Sequence, residues 1–222
     1  MRQLLRRFGT FASLALLMTG SPGVAQPTPT DAPSPADAAV RREVQLVIYG
    51  AFPEALLDDI SRGLWRELRV ETLPVVRREL PAAAYYPPRR RYRAERLLDA
   101  LEALEAESPG AGRLGLTSVD ISTTKGAHRD WGIFGLGSLG GDSAVVSTHR
   151  LRRGARDDAH LRLRVVSVAV HEVGHMLGLP HCEEPACVMN DAHGSIRSVD
   201  EGPAGLGPAC MEHLERVAAA GR

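Results

Sequence analysis

The stretch His171-Glu172-Val173-Gly174-His175, followed by Gly178 and His181, restricts this 222-residue chain more than any other part of it. It lies near the end of an apolar-periodic run from His160 to Leu177, rich in Val and Ala, which reads as a helix stopped by Gly178 and Pro180. Residues four apart share one helical face, so both imidazoles can reach a single metal ion. A residue that ends a helix in the left-handed region is most easily a glycine, having no Cβ. Gly178 can therefore turn the chain back and bring His181 onto the same ion.

Zinc suits neutral imidazoles and keeps an open position for a water, whose pKa it lowers toward about 7. His171, His175 and His181 are the candidate zinc ligands. Glu172, beside the first ligand, is the candidate catalytic residue, a general base that takes the proton from the zinc-bound water. Met189, a short way downstream, is expected to pack beneath the metal through its adaptable thioether without ligating it. A different third ligand would be a downstream carboxylate, Glu183, Glu184 or Glu201, which the spacing from Gly178 to His181 disfavours. A reading from another class is a zinc-binding scaffold or binding protein that kept the ligands without turnover. The presence of Glu172 speaks against it, since a carboxylate that is not a ligand has little structural reason to sit beside a metal.

The rest of the chain is an ordinary globular composition, 44% apolar and 24% charged, for which one domain is the default. Arg2, Arg6 and Arg7 precede the apolar stretch Phe8 to Met18, and small residues follow up to Ala25. This is the grammar of a cleaved signal peptide over residues 1–25, implying an exported protein, periplasmic or secreted. The apolar stretch is shorter than the roughly 20 residues of a membrane span, and no later stretch is longer and as apolar. No stable membrane insertion is expected after cleavage. Losing three arginines and no acids leaves 24 basic against 27 acidic residues. Arginine runs such as Arg89 to Arg91 are short and followed by acids, so nucleic acid is not an expected partner. Residues 26–40 carry four prolines and read as a linker, leaving 41–222 as the folded domain. Its oligomeric state is not legible.

Periodicity places strands at Glu43 to Tyr49, Val70 to Val76, Arg113 to Ile121, Trp131 to Leu136 and Ala144 to Thr148. Pro74 makes the second of these an edge or an irregular strand. Helices are expected over Pro53 to Leu68, Tyr92 to Ala106, His160 to Leu177 and Pro208 to Ala220. The glycine-rich Gly135 to Gly141 reads as a loop or hairpin, with no phosphate-binding context.

At its histidines and cysteines the chain resembles the metzincin clan and, more narrowly, the archaemetzincins, whose pattern is HExxHxxGxxxC, four residues, CxM, and then CxxC. His171, Glu172, His175, Gly178, Cys182, Cys187 and Met189 fit at the required spacing. Weaker likeness runs through Val119-Asp120 and Trp131 to Leu151, where Val145 to Thr148 looks like the family's edge strand beside the active site. The resemblance implies a zinc metallopeptidase acting on peptides or small proteins. It implies an α+β (α/β-like mixed) fold: a twisted mixed sheet with an antiparallel edge strand, an active-site helix, and an irregular C-terminal subdomain ending in a helix.

It also implies a second, structural zinc held by four cysteines. Cys182, Cys187 and Cys210 stand at three of those positions, and the fourth is Gly207. Two readings stay open. Either three cysteines and a histidine hold the zinc, with His213 or His193 as fourth ligand, or Cys182 and Cys187 form a disulfide and leave Cys210 as an odd thiol.

Overall fold

Strand β1 (Arg42–Tyr49) is buried over its last six residues, which a strand sustains only when both its faces are covered. Successive side chains point to opposite faces. Leu46 and Ile48 join one apolar cluster with Leu64 and Val165, while Val47 and Tyr49 join a second with Leu97, Leu101 and Val145. These elements belong to a computed structural model that describes residues 42–105, 108–202 and 205–220. The segments read as signal, 1–25, and linker, 26–40, lie outside the described residues.

Helix α1 (Leu57–Leu68) buries Ile60, Leu64 and Leu68 at intervals of four, each full burial being worth about 2 kcal/mol. Strand β2 (Val70–Arg78) returns parallel to β1 at the sheet edge. Pro74 acts there as expected: the register skips, Gln45 facing Leu73 and Val47 facing Val76. The Gln45 side-chain amide donates to the Pro74 carbonyl.

Strands β3 (Tyr85–Tyr86) and β4 (Arg91–Arg93) lead into helix α2 (Ala94–Glu102). Then come β5 (Gly112–Thr117), β6 (Ile121–Lys125), β7 (His128–Ile133), β8 (Gly135–Gly137) and β9 (Ser143–Ser147). The main sheet runs β2-β1-β5-β9-β8, parallel except for β8, which pairs antiparallel with β9. The strands β3-β4-β6-β7 form a second sheet. Helices α3 (Thr148–Leu151), α4 (Asp158–Met176), α5 (Ile196–Glu201) and α6 (Pro208–Ala220) complete the chain. Among the described residues no helix is long and apolar enough to cross a membrane.

The mixed sheet with an antiparallel edge matches the expected class, but the edge is β8. The Val145 segment, expected there, is the interior strand β9. Both its faces are covered, Val145 lying in one cluster and Val146 in the other, and its backbone pairs with β5 on one edge and β8 on the other. The Arg113 to Ile121 run divides into β5 and β6, and Trp131 to Leu136 divides between the two sheets. The helix expected from Tyr92 starts at Ala94, because Tyr92 is paired with Ile121 in the second sheet.

Helix α4 is central. The Asp157 side chain caps its start by accepting from the His160 N–H at 2.7 Å. Thirteen of its nineteen residues are buried, so a group on it is held by packing on nearly all sides. Arg164 of α4, almost fully buried, makes a two-pronged ion pair with Asp200 of α5 at 2.6 and 2.7 Å. His160 Nε2 reaches the same carboxylate at 2.7 Å. This bond set ties the irregular C-terminal segment to the helix.

Candidate metal centre

His171 and His175 lie one turn apart near the end of α4. Gly178, at φ +89°, then reverses the chain, and the Leu179 N–H closes the turn on the Gly174 carbonyl at 3.0 Å. The reversal brings His181 to the other two, and one nitrogen of each imidazole lies within 4.8 Å of the others. Glu183, Glu184 and Glu201 are not part of this group.

The hydrogen bonds assign the ring tautomers. His171 Nδ1–H donates to the Val188 carbonyl and His175 Nδ1–H to the Leu179 carbonyl, each at 2.8 Å. Both Nε2 atoms are then bare lone pairs, yet they stand 3.1 Å apart. Two lone pairs that close repel unless a cation lies between them, so the donor set fits zinc. Burial pushes the His171 pKa down to about 4 and holds His175 below its ordinary value. Both rings are kept in the neutral form that ligates.

Glu172 points into the contact between α4 and β8, where it lines the same cleft as His171 and His175, and its side chain is buried. A Cβ on Gly135 would fall 2.6 Å from Glu172 Oε1, and one on Gly137 would fall 2.3 Å from the Glu172 carbonyl oxygen. Glycine at these positions lets the edge strand run directly against the helix. Burial raises the Glu172 pKa to about 8; the Gly137 N–H donates to the carboxylate and opposes that rise, while the charge of Asp191 adds to it. Met189 is fully buried, its sulfur 2.6 Å from where a Cβ on Gly174 would be. It packs against α4 between the two helical ligands.

A cleft of about 810 Å³ opens over the histidines, with Trp131, Phe134, Leu139 and Val168 among its walls and Asp191 at its side. Asp191 is held by the His193 N–H at 2.7 Å and by Lys125 Nζ at 3.5 Å. Sequence reasoning missed Asp191, which belongs to no motif, and the Gly137 amide. The signal for the second was present in the glycine-rich run, whose glycines permit close backbone approach.

Cys182 follows His181 in the chain but enters a second group. The sulfurs of Cys182, Cys187 and Cys210 lie within 4.8 Å of one another, and none is in a disulfide. Cys187 and Cys210 are buried. The Cys182 to Cys187 disulfide is therefore not formed. Neither His213 nor His193 joins the three sulfurs: Cys210 is on the buried side of α6 and His213 stays half-exposed along it, while His193 is engaged with Asp191 at 3.0 Å. Burial first, then hydrogen bonds with Cys187 and Cys182, pushes the Cys210 thiol up. Sulfurs this close resist ionising together unless a cation shares them.

Comparison with known proteins follows the same lines. The profile of Peptidase family M54 matches residues 64–216. Archaemetzincin of Haloarcula marismortui is 30% identical over 178 residues, spanning 77% of this chain and 98% of the relative. Archaemetzincin of Methanopyrus kandleri is 38% identical over 141 residues, spanning 63% and 75%. The crystal structure of archaemetzincin from Methanopyrus kandleri overlays with a TM-score of 0.71 at 30% identity, covering 84% of this chain and 98% of that one. The archaemetzincin from Archaeoglobus fulgidus, complexed with malonate, gives a TM-score of 0.61 at 30% identity, covering 76% and 98%.

One expectation is corrected by these relatives. The Haloarcula protein is matched over 98% of its length by 77% of this chain, so the likeness is exhausted by the catalytic domain. Neither the family match nor that relative indicates a signal or export. The signal, secreted and periplasmic readings are withdrawn.

Proposed function

This chain belongs to Peptidase family M54 and is an archaemetzincin-like zinc metallopeptidase, and from that premise we propose that Glu172 is its general base and acid. The observation that carries the proposal is one buried carboxylate, met by the Gly137 N–H, lining the same cleft as the imidazoles of the donor set. His171, His175 and His181 would hold the zinc, which supplies Lewis acidity toward a peptide carbonyl and a water.

The substrate is a peptide or protein. β8 is an edge strand lining the cleft, and an extended peptide can add to such an edge through main-chain hydrogen bonds. Glu172 takes a proton from the attacking water and hands it to the departing amine. Burial raises its pKa, which strengthens its hold on the proton between the two transfers. Met189 and the two carbonyls that accept from His171 and His175 hold the ligand rings still.

The test is hydrolysis of a mixed peptide library by the wild type and by Glu172→Gln, with metal content measured on both. Loss of about 10³-fold in rate at unchanged metal content is expected. Equal cleavage by both proteins would remove the catalytic role of Glu172, and cleavage by neither would leave a zinc-binding scaffold.

A further inference from the structure

We propose that Glu184 is the fourth ligand of the cysteine site, completing with Cys182, Cys187 and Cys210 a zinc site of three sulfurs and one carboxylate oxygen. This does not rest on the catalytic reading of Glu172. Structural zinc is almost always four-coordinate, and the three sulfurs that lie within 4.8 Å supply only three donors. The fourth must come from a neighbour able to bear negative charge or a lone pair.

The neighbour is found at Gly207. The space its side chain would take is filled by the Glu184 carboxylate: a Cβ there would fall 2.4 Å from Glu184 Oε2, 2.8 Å from its Cδ and 3.2 Å from the Cys187 Cβ. The acid is thus lodged beside Cys187, three residues before Cys210, where the chain itself offers no side chain. The backbone around it already favours anions. Glu184 N–H donates to Cys182 Sγ at 3.3 Å and Gly207 N–H to Cys187 Sγ at 3.2 Å, so backbone donors already face two of the sulfurs. Ala209 N–H, in the first turn of α6, donates to Glu184 Oε2 at 3.2 Å.

Asn190 fixes the loop that carries Glu184. Its side-chain amide donates to the carbonyls of Cys182 and Glu184, at 2.5 and 3.0 Å. Like His213, Glu184 lies outside the group of sulfurs within 4.8 Å of one another, but its carboxylate already occupies the space a side chain at position 207 would take, and rotation of its side chain would bring an oxygen to the cation. With three thiolates and one carboxylate the ligands bear four negative charges, the same as four thiolates would. A carboxylate is a harder donor than sulfur, so this site holds zinc less tightly than an all-thiolate one.

The test uses the full chain loaded with cobalt(II) in place of zinc. Thiolate-to-metal charge-transfer absorption then reports the cysteine site alone, and back-titration with zinc gives its affinity. Glu184→Gln keeps the side chain's size and an oxygen for the Ala209 N–H. It is expected to weaken metal binding at least tenfold. Gly207→Cys combined with Glu184→Gln is expected to restore it, because the glutamine end is flexible enough to yield the space. The proposal is overturned if Glu184→Gln binds as tightly as wild type, if the double variant fails to recover affinity, or if the wild type shows three titratable thiols and no charge-transfer band. None of these readings depends on peptide hydrolysis, so failure here and failure of the Glu172 assignment are distinguishable.

Discussion

His181 and Cys182 are joined by one peptide bond and enter two different donor sets. The histidine set faces a cleft, and its third member, His181, is exposed. The cysteine set is turned inward, with Cys187 at 1% and Cys210 at 6% exposure. An accessible nitrogen set beside a buried carboxylate can keep a position open for chemistry, whereas a closed sulfur set can only hold the chain together. The difference teaches that one short segment, from Gly178 to Met189, contributes to two donor sets of opposite character, one open to a cleft and the other closed.

Separating those two duties gives the largest expected effect. Cys210→Ser should destabilise folding by about 4 kcal/mol, the scale of a lost structural metal, while the protein that remains folded keeps its turnover. Chemical denaturation read beside activity per folded molecule checks this. A variant that lost turnover and kept its stability would reverse the roles assigned to the two sets.

A smaller loss is expected where the C-terminal segment is tied to α4. Asp200→Asn leaves Arg164 buried with a weaker partner and should cost about 2 kcal/mol. The hydrogen bonds from Arg164 hold the Asp200 pKa down to about 2, below the roughly 3.9 of an unfolded aspartate. Its stabilisation is therefore complete above about pH 4 and is lost as pH falls from there through about 2. Denaturation midpoints across that range should slope for the wild type and lose part of the slope in Asp200→Asn.

The mildest change sharpens the catalytic side alone. Gly137→Ala puts a Cβ against the Glu172 carbonyl, pushing β8 off the helix and disturbing the amide that fixes the carboxylate. A fall of about tenfold in kcat/KM, or about 1.4 kcal/mol, is expected, with metal content at both sites unchanged. An unaltered kcat/KM would show that β8 does not position Glu172.

The sequence made the histidine set legible because all its members are local: one helical turn and one glycine reversal fix the geometry. The long helices and the buried strands β1 and β2 were legible for the same reason, through periodicity. What escaped depended on distant pairing. The second sheet is built from short, partly polar strands such as Tyr85–Tyr86 and Arg91–Arg93, which carry no apolar pattern. The edge position of β8 follows from pairing with β9 and contact with α4, neither visible in Gly135 to Gly137 alone. His213 has a plausible spacing from Cys210, but the way α6 packs leaves it outside the sulfur group. Glu184 comes to Gly207 only because the loop folds across 23 residues of chain.

The division between the two sets is tested most directly by stripping the metal from the full chain and returning zinc in steps, with thermal midpoint and peptide hydrolysis followed on the same samples. The expected result is that the midpoint recovers with the equivalent that fills the cysteine set, and that hydrolysis recovers with a different one. Recovery of both properties with one and the same equivalent would contradict the division.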